Sequence, residues 1–390
     1  MNSKKTQIAI IAIFLIFTFG LTAAFFVLPK KAVSSDERRP LAAAPEISLE
    51  SFLSGDLSEE LEGSSGGYIP DHFPFRSFFV GVNSYFNYML GNTASNNYYN
   101  SRDGYIITNP PKENNSEQNI AQLNDFAASA DEKITLTVVP SAGYILSDLL
   151  PLNHVSYPDE KVFASIENNL SEDFSFVDLR DSFADAHKAG TQIYYKTDHH
   201  WTSEGTYLAY TKLCESLGIT PLAKDKLTVS TYEGFYGTTY SSSGYFLVKP
   251  DVLELWENKA VEDSIKVTID DGKDTKTYGS MYFRDHLEVK SDAINDMYAV
   301  FLNGNSPLVT IENSKATSDK TLVVIKDSFA HCMAPYLANN YGKVILVDLR
   351  YYQRSVLDLA KGEDREFLVL YGMENFCTDT NLFRLNFPLG

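Results

Sequence analysis

Cysteine is scarce: Cys214, Cys332 and Cys377 are the only three in 390 residues. An odd count permits one bridge at most and leaves a thiol over. No Cys-x-x-Cys pair occurs, which argues against a structural zinc site. The chain is therefore not a disulfide-built scaffold and must rely on its hydrophobic core. Positive charge is also short. Lys and Arg number 33 against 51 Asp and Glu, for a net charge of −18. A surface that tracks phosphates must be basic, so nucleic acid is excluded as a partner. Tryptophan is nearly missing, at two residues, although 24 Tyr and 25 Phe are present. Internal repeats and low-complexity blocks are absent.

Only one long apolar run exists. Residues 7–28 carry no charge, and about 20 apolar residues suffice to span a bilayer as a helix. Lys4 and Lys5 precede the run and Lys30 and Lys31 follow it, so flanking charge is nearly balanced. The short leading tail and long polar body predict a single-pass anchor in the cell membrane, with a cytoplasmic N-terminus and an extracytoplasmic body. The alternative is a cleaved signal peptide, whose apolar core spans only ~7–15 residues. The chain then divides into an anchor (1–29), a linker (30–66) and one large domain (67–390).

Within that domain the pattern alternates strand and helix. Residues 134–139, 174–179, 322–325, 344–347 and 367–370 are apolar, β-branched runs of the kind buried on both faces of a sheet. Helical periodicity covers residues 77–90, 119–130, 160–170 and 329–339. Thr202 or Ser203 caps a helix that runs to Leu217 and stops at Gly218. This succession predicts an α/β fold with a largely parallel sheet and helices on both faces. Residues 221–319 differ. Residues 227–229, 245–248 and 265–269 alternate polar and apolar, and Asp270-Asp271-Gly272 signals a hairpin. They predict a β-rich insertion packed on the core as a lid or wall.

Two segments carry chemistry. Thr197-Asp198-His199-His200-Trp201-Thr202 packs an acid, two imidazoles and an indole together. In an extended segment, residues i and i+2 share a side, which pairs Asp198 with His200 and turns His199 away. An Asp beside a His fixes its tautomer and steadies the imidazolium, leaving Nε2 free as a base. Far downstream, the apolar strand 322–325 ends in Lys326-Asp327-Ser328-Phe329. A serine at a strand-to-helix turn stands at the carboxyl edge of the sheet, where open α/β sheets place ligands. The Phe329 amide, at the helix N-terminus, is a candidate oxyanion donor. The plain alternatives are a polar knot at Asp198 and an N-cap at Ser328. Asp198, His199 and His200 are also metal-ligand types, with Asp178 a candidate further carboxylate. Cys332 is a candidate nucleophile set back from the turn, and Trp201 and Trp256 are candidate sugar-stacking surfaces. Lys326 is a candidate contact for an acidic glycan.

Taken together, the Asp-His-His-Trp segment and Lys-Asp-Ser-Phe resemble the DHHW family. That family is similar to the SGNH-hydrolase-like proteins of alginate and other exopolysaccharide O-acetylation. Asp36-Glu37-Arg38-Arg39-Pro40-Leu41, the stretch 71–76, residues 234–238, Phe301-Leu302-Asn303-Gly304-Asn305 and residues 347–352 add to the likeness. The resemblance implies an SGNH-like core with circularly permuted motif order, since Asp and His here precede the serine. It implies Asp198 as orienter, His200 as base and Ser328 as nucleophile, with no cofactor and no metal. Gly304, Asn305 and Gly237 are candidate oxyanion donors, and His199, Trp201 and Lys326 candidate substrate contacts. The implied activity is acyl transfer or ester hydrolysis on a cell-surface polysaccharide, with a membrane acyl-transfer protein as a partner. A non-catalytic glycan-binding or scaffold protein of the envelope is the alternative from another class.

Overall fold

The computed structural model describes residues 3–63, 66–92, 94–130, 132–290 and 293–387. The chain forms two compact units. The first comprises residues 1–90 with 244–246 and 289–295. It holds the apolar helix α1 (Ser3–Val27) and the amphipathic helix α2 (Arg76–Met89). Lys4–Val27 is long and apolar enough to cross a membrane, a property that signal sequences share. Between the helices, two of the family-like stretches clamp each other. Arg39 makes paired bonds to Asp71 (2.6 and 3.0 Å), and Glu37 accepts from both Arg39 and Arg76 at 2.7 Å.

The second unit alternates helix and strand. Its principal elements begin α3 (Ser116–Ser129), β1 (Ile134–Val139), α4 (Asp159–Asn169), β2 (Phe174–Val177), α5 (Arg180–Lys188) and α6 (Ser203–Leu217). There follow β3 (Thr228–Phe235), α7 (Thr238–Ser243), β4 (Asp251–Glu257), β5 (Ile265–Asp270), β6 (Thr275–Tyr278) and β7 (Leu308–Asn313). The last are β8 (Thr321–Lys326), α8 (Ala330–Leu337), β9 (Lys343–Val347), β10 (Arg365–Gly372) and α9 (Met373–Thr378).

Eight strands form one sheet, in the order β6-β5-β7-β9-β8-β10-β1-β2. The five from β9 to β2 run parallel; β7, β5 and β6 continue the sheet antiparallel. The sheet is therefore mixed: five of its eight strands are parallel, as expected, and the antiparallel three were not foreseen as part of it. Part of the expected insertion is also relocated. Strands β5, β6 and β7 extend the central sheet, and only β3 and β4 pair as a separate ribbon. Residues 245–248 form no strand: Gly244, in the left-handed region at φ 79°, breaks the run just before it.

Strand β8 is buried on both faces, which is why it reads as a continuous apolar run. Leu322 and Val324 join a core with Leu213 of α6 and Met333 and Leu337 of α8. Val323 and Ile325 join the other, with Leu123 and Phe126 of α3 and Ile166 of α4. Thr202 caps α6 through its hydroxyl, and Gly218 ends it in the left-handed region.

Candidate active site

Residues 194–201 form a tight loop. It is closed by a bridge between Tyr194 and Trp201 and by the Tyr195 N–H donating to the His200 carbonyl (3.1 Å). The loop is bent through residues 196–200, not extended. Asp251, at the start of β4, holds one side of it. Its buried carboxylate accepts from the amides of Lys196 and Thr197, the Thr197 hydroxyl and the Gln192 carboxamide, at 2.7–3.0 Å. Burial raises the Asp251 pKa, against the pull of those four donors.

The bend brings Asp198 onto His200, with Asp198 Oδ1 standing 2.5 Å from His200 Nδ1. The second oxygen of Asp198 accepts from the Thr238 amide (2.8 Å) and hydroxyl (3.1 Å) at the head of α7. Burial alone would raise the pKa of Asp198. The two imidazoles and these hydrogen bonds outweigh it and hold the carboxyl well below its ordinary range. It is an anion beside an imidazole, as a proton relay needs.

Strand β8 ends at Lys326, and its continuation turns Ser328 towards this loop. His200 Nε2 lies 2.7 Å from Ser328 Oγ. Hydroxyl, imidazole and carboxylate thus stand in one hydrogen-bonded series. Two further contacts fix it. The Trp201 indole N–H donates to the Phe329 carbonyl (3.2 Å), and Tyr298 stacks flat on the His200 ring, 3.8 Å between centroids. Ser328 opens into a cavity of about 370 Å³, whose wall includes His199, Asn305, Arg350 and Glu374. Burial raises the Glu374 pKa.

Several expected roles move. His199 does not point away: its ring lies 3.9 Å from that of His200, and its side chain keeps 32% exposure. Trp201 is fully buried, so it is core and not a sugar platform. Lys326 is buried too, with its ammonium 3.1 Å from Asp348 and 2.8 Å from His331 Nε2. It is an interior ion pair, not a surface cation awaiting a glycan. The Phe329 amide is committed to the Asp327 carboxylate (2.9 Å) and is no oxyanion donor. Asp327 also accepts from the Gly372 amide and the Asn375 side chain, each at 2.8 Å, tying the serine turn to α9.

The Ser328 amide has no hydrogen-bond partner among the described residues. Asn305 turns its carbonyl oxygen to Arg350 (3.3 Å), leaving its NH₂ for the cavity; Gly304 lies off the cavity wall. The Gly237 amide donates to Thr197 Oγ1 (3.3 Å), so it too is engaged. Cys332 is buried, its thiol pushed up to about 11 by burial, and stays protonated.

Asp198, His199 and His200 do offer ligand atoms within 4.8 Å of one another. Most of those atoms are engaged: His200 bonds Asp198 and Ser328, and His199 Nδ1 bonds Thr238 at 2.6 Å, leaving only His199 Nε2 open. Asp178, the candidate further ligand, is tied to Arg180. This donor set fits a relay, not a metal site.

Sequence reasoning missed Asp251 and Tyr298, which lie outside the motifs and carry no local signal. Thr238, Asp348 and Arg350 fall in stretches that added to the family likeness (234–238 and 347–352), but no role was assigned to them.

The sequence profile of the DHHW protein family matches residues 151–347, about half of the chain. Among solved structures, a DHHW family protein from Eubacterium siraeum shares the fold at TM-score 0.62 and 20% identity. That alignment covers 76% of this chain and 97% of the other. Bacillus cereus PatB1 aligns at TM-score 0.62 and 20% identity, over 72% of this chain and 97% of its own. A second PatB1 structure, with a sulfonyl adduct, aligns at TM-score 0.61 and 21% identity, over 73% and 97%. No curated protein sequence matches the chain.

Proposed function

This chain belongs to the DHHW family, and from that premise we propose that it is a serine acyltransferase or esterase acting on a cell-surface polysaccharide. The fold is read as SGNH-like with permuted motif order, and α1 as a retained anchor that holds the body outside the cell. One observation carries the reading: Asp198, His200 and Ser328 form a continuous series at 2.5 and 2.7 Å beside an open cavity.

Ser328 Oγ attacks the acyl carbonyl while His200 Nε2 takes the hydroxyl proton. The leaving group departs with that proton, and an acyl-serine remains. A sugar hydroxyl, or water, then attacks the acyl carbon. His200 takes the incoming proton and returns it to Ser328 Oγ. Asp198 stays ionised and steadies the imidazolium throughout. The Ser328 amide and the Asn305 NH₂ are the oxyanion donors, each worth ~2.7–4 kcal/mol of barrier. The sulfonyl adduct in a PatB1 structure supports the choice of reagent below, because sulfonylating reagents trap activated nucleophiles.

The test uses the full-length chain in detergent with a chromogenic acetyl ester and, separately, a sulfonyl fluoride. A burst and a single sulfonyl mass increment are expected. Both should vanish in Ser328→Ala, and the burst in His200→Ala. Equal background in all three proteins, with glycan binding retained, would establish the scaffold reading instead. Activity abolished by chelator but spared by Ser328→Ala would establish metal chemistry.

A further inference from the structure

Helix α2 has a single charged residue, Arg76, among its fourteen. Its side chains sort onto three faces. Gly81 and Ser84 are buried, with Gly81 against Phe246 and Gly244. Phe79 meets Phe17 of α1 edge-on, with centroids 6.3 Å apart. The third face carries Phe78, Val82, Phe86 and Met89, preceded in register by Phe75 at the N-cap. Spacings of three and four residues align these five as one stripe. They are 64, 66, 48, 53 and 75% exposed, in chain order.

Water does not favour so long an apolar stripe, and stripes of this kind mark interaction surfaces. Its occupant follows from what it adjoins. The Phe79–Phe17 contact makes the stripe continuous with α1, whose own side chains are exposed along its length and which is long enough to cross a bilayer. The one charge on α2 is neutralised at its first residue. Arg76 at the start of α2 is bonded to Glu37, and Arg39 to Asp71.

We propose that α2 is a second membrane element, whose Phe75–Phe78–Val82–Phe86–Met89 stripe enters the acyl-chain boundary of the leaflet beside α1. The Phe79–Phe17 contact falls ten residues inside the end of α1, so α2 lies against the span of α1 with its apolar stripe turned to lipid. Two apolar surfaces, that of α1 and that of the stripe, then fix the orientation of this unit to the bilayer.

The experiment reconstitutes the full chain in phosphatidylcholine–phosphatidylglycerol vesicles with lipids brominated at shallow or deep acyl positions. Single Phe78→Trp and Phe86→Trp variants report the stripe, and Phe17→Trp reports α1. These positions are exposed, so an indole fits without repacking. Trp201 and Trp256 are buried and supply a common background. Bromines in the acyl chains are expected to quench the added emission at positions 78 and 86 as they do at position 17. Quenching at 17 without quenching at 78 and 86 overturns the proposal. So does absence of quenching at all three positions. Emission at 78 that ignores bromine but changes with protein dilution overturns it in favour of a second copy of the chain.

Discussion

A β-carbon built on Gly237 would stand 2.2 Å from the Asp198 Cβ and 2.3 Å from its Oδ2. No side chain fits at that spacing, and the obstacle is the carboxylate that orients His200. Gly237 therefore acts by absence, letting the chain entering α7 close over Asp198 so that the Thr238 amide can reach it. Gly237→Ala is expected to push Asp198 off His200 and cut the burst rate at least ~100-fold, the scale on which small misplacements cost catalysis. Burst kinetics alongside a thermal melt check this. An alanine variant with undiminished burst would show that Asp198 is not held as described.

Lys326 and Asp348 make the second prediction. Burial lowers the Lys326 pKa against the pull of Asp348. Asp348 also holds Arg350 through two bonds, at 2.7 and 2.9 Å. Asp348→Ala strands a buried ammonium and should cost ~3–5 kcal/mol. Lys326→Met leaves Asp348 paired with Arg350 and should cost ~1 kcal/mol or less, because a buried pair is weakly stabilising over an apolar substitute. Urea titrations of both variants give the comparison. KM for an anionic acceptor should be unchanged in Lys326→Met; a rise would return Lys326 to the substrate.

How far the sequence carried follows from where each signal resides. Strands buried on both faces advertise themselves by apolar runs, so β1, β8 and β9 were legible nearly to the residue and β10 in its central half. Local capping chemistry made α6 legible at both ends, through Thr202 and Gly218. Sheet membership was not legible. The alternation along β5 describes a half-buried strand in any sheet, and nothing local ties Ile265 to Asn313, its partner on β7. In the site, Asp198, His200 and Ser328 could be named because their types are chemically uncommon together. The same logic misread Lys326, since a lysine at a strand end looks solvated. Its partner Asp348 lies on another strand's end. Phe329 was misread because the preceding Asp327 takes its amide in a local turn that competes with the ligand role.

His199 gives the third prediction, which rests on the acyl-serine reading. Asp198 is ionised and can only accept, so the Thr238 hydroxyl donates to it. The same hydroxyl oxygen then accepts from His199 Nδ1–H. This fixes the tautomer and leaves Nε2 as an acceptor on the partly exposed ring facing the cavity. Burial and the adjacent His200 hold the His199 pKa down, which keeps Nε2 unprotonated. It suits the hydroxyl of an incoming sugar. His199→Phe should leave the burst within about three-fold while raising KM for a polyol acceptor about five-fold, as one hydrogen bond of ~1 kcal/mol implies. Loss of burst and acceptor use in equal measure would reduce His199 to packing.

Asp159 supplies a pH dependence. Its carboxylate is fully buried at the start of α4 and accepts from the amide and hydroxyl of Ser141, on the cavity wall. Burial raises its pKa from 3.8 to about 6, with Ser141 opposing. Between those values the folded chain holds a proton that the unfolded chain has released. Stability therefore falls as pH rises through this window, by about 3 kcal/mol in all. Asp251 and Asp327 are also raised by burial and add to the slope, whereas Asp198, held down, opposes it. Asp159→Asn cannot titrate, yet its carbonyl oxygen can still accept from the Ser141 amide. Urea midpoints at about pH 4.5 and about pH 7 should differ less in the variant than in the wild type. The variant's advantage should appear at the higher pH, where the wild type carries a buried charge. An identical pH slope in both proteins would mean that Asp159 is already ionised in the acid range, with Ser141 and the local backbone outweighing its burial.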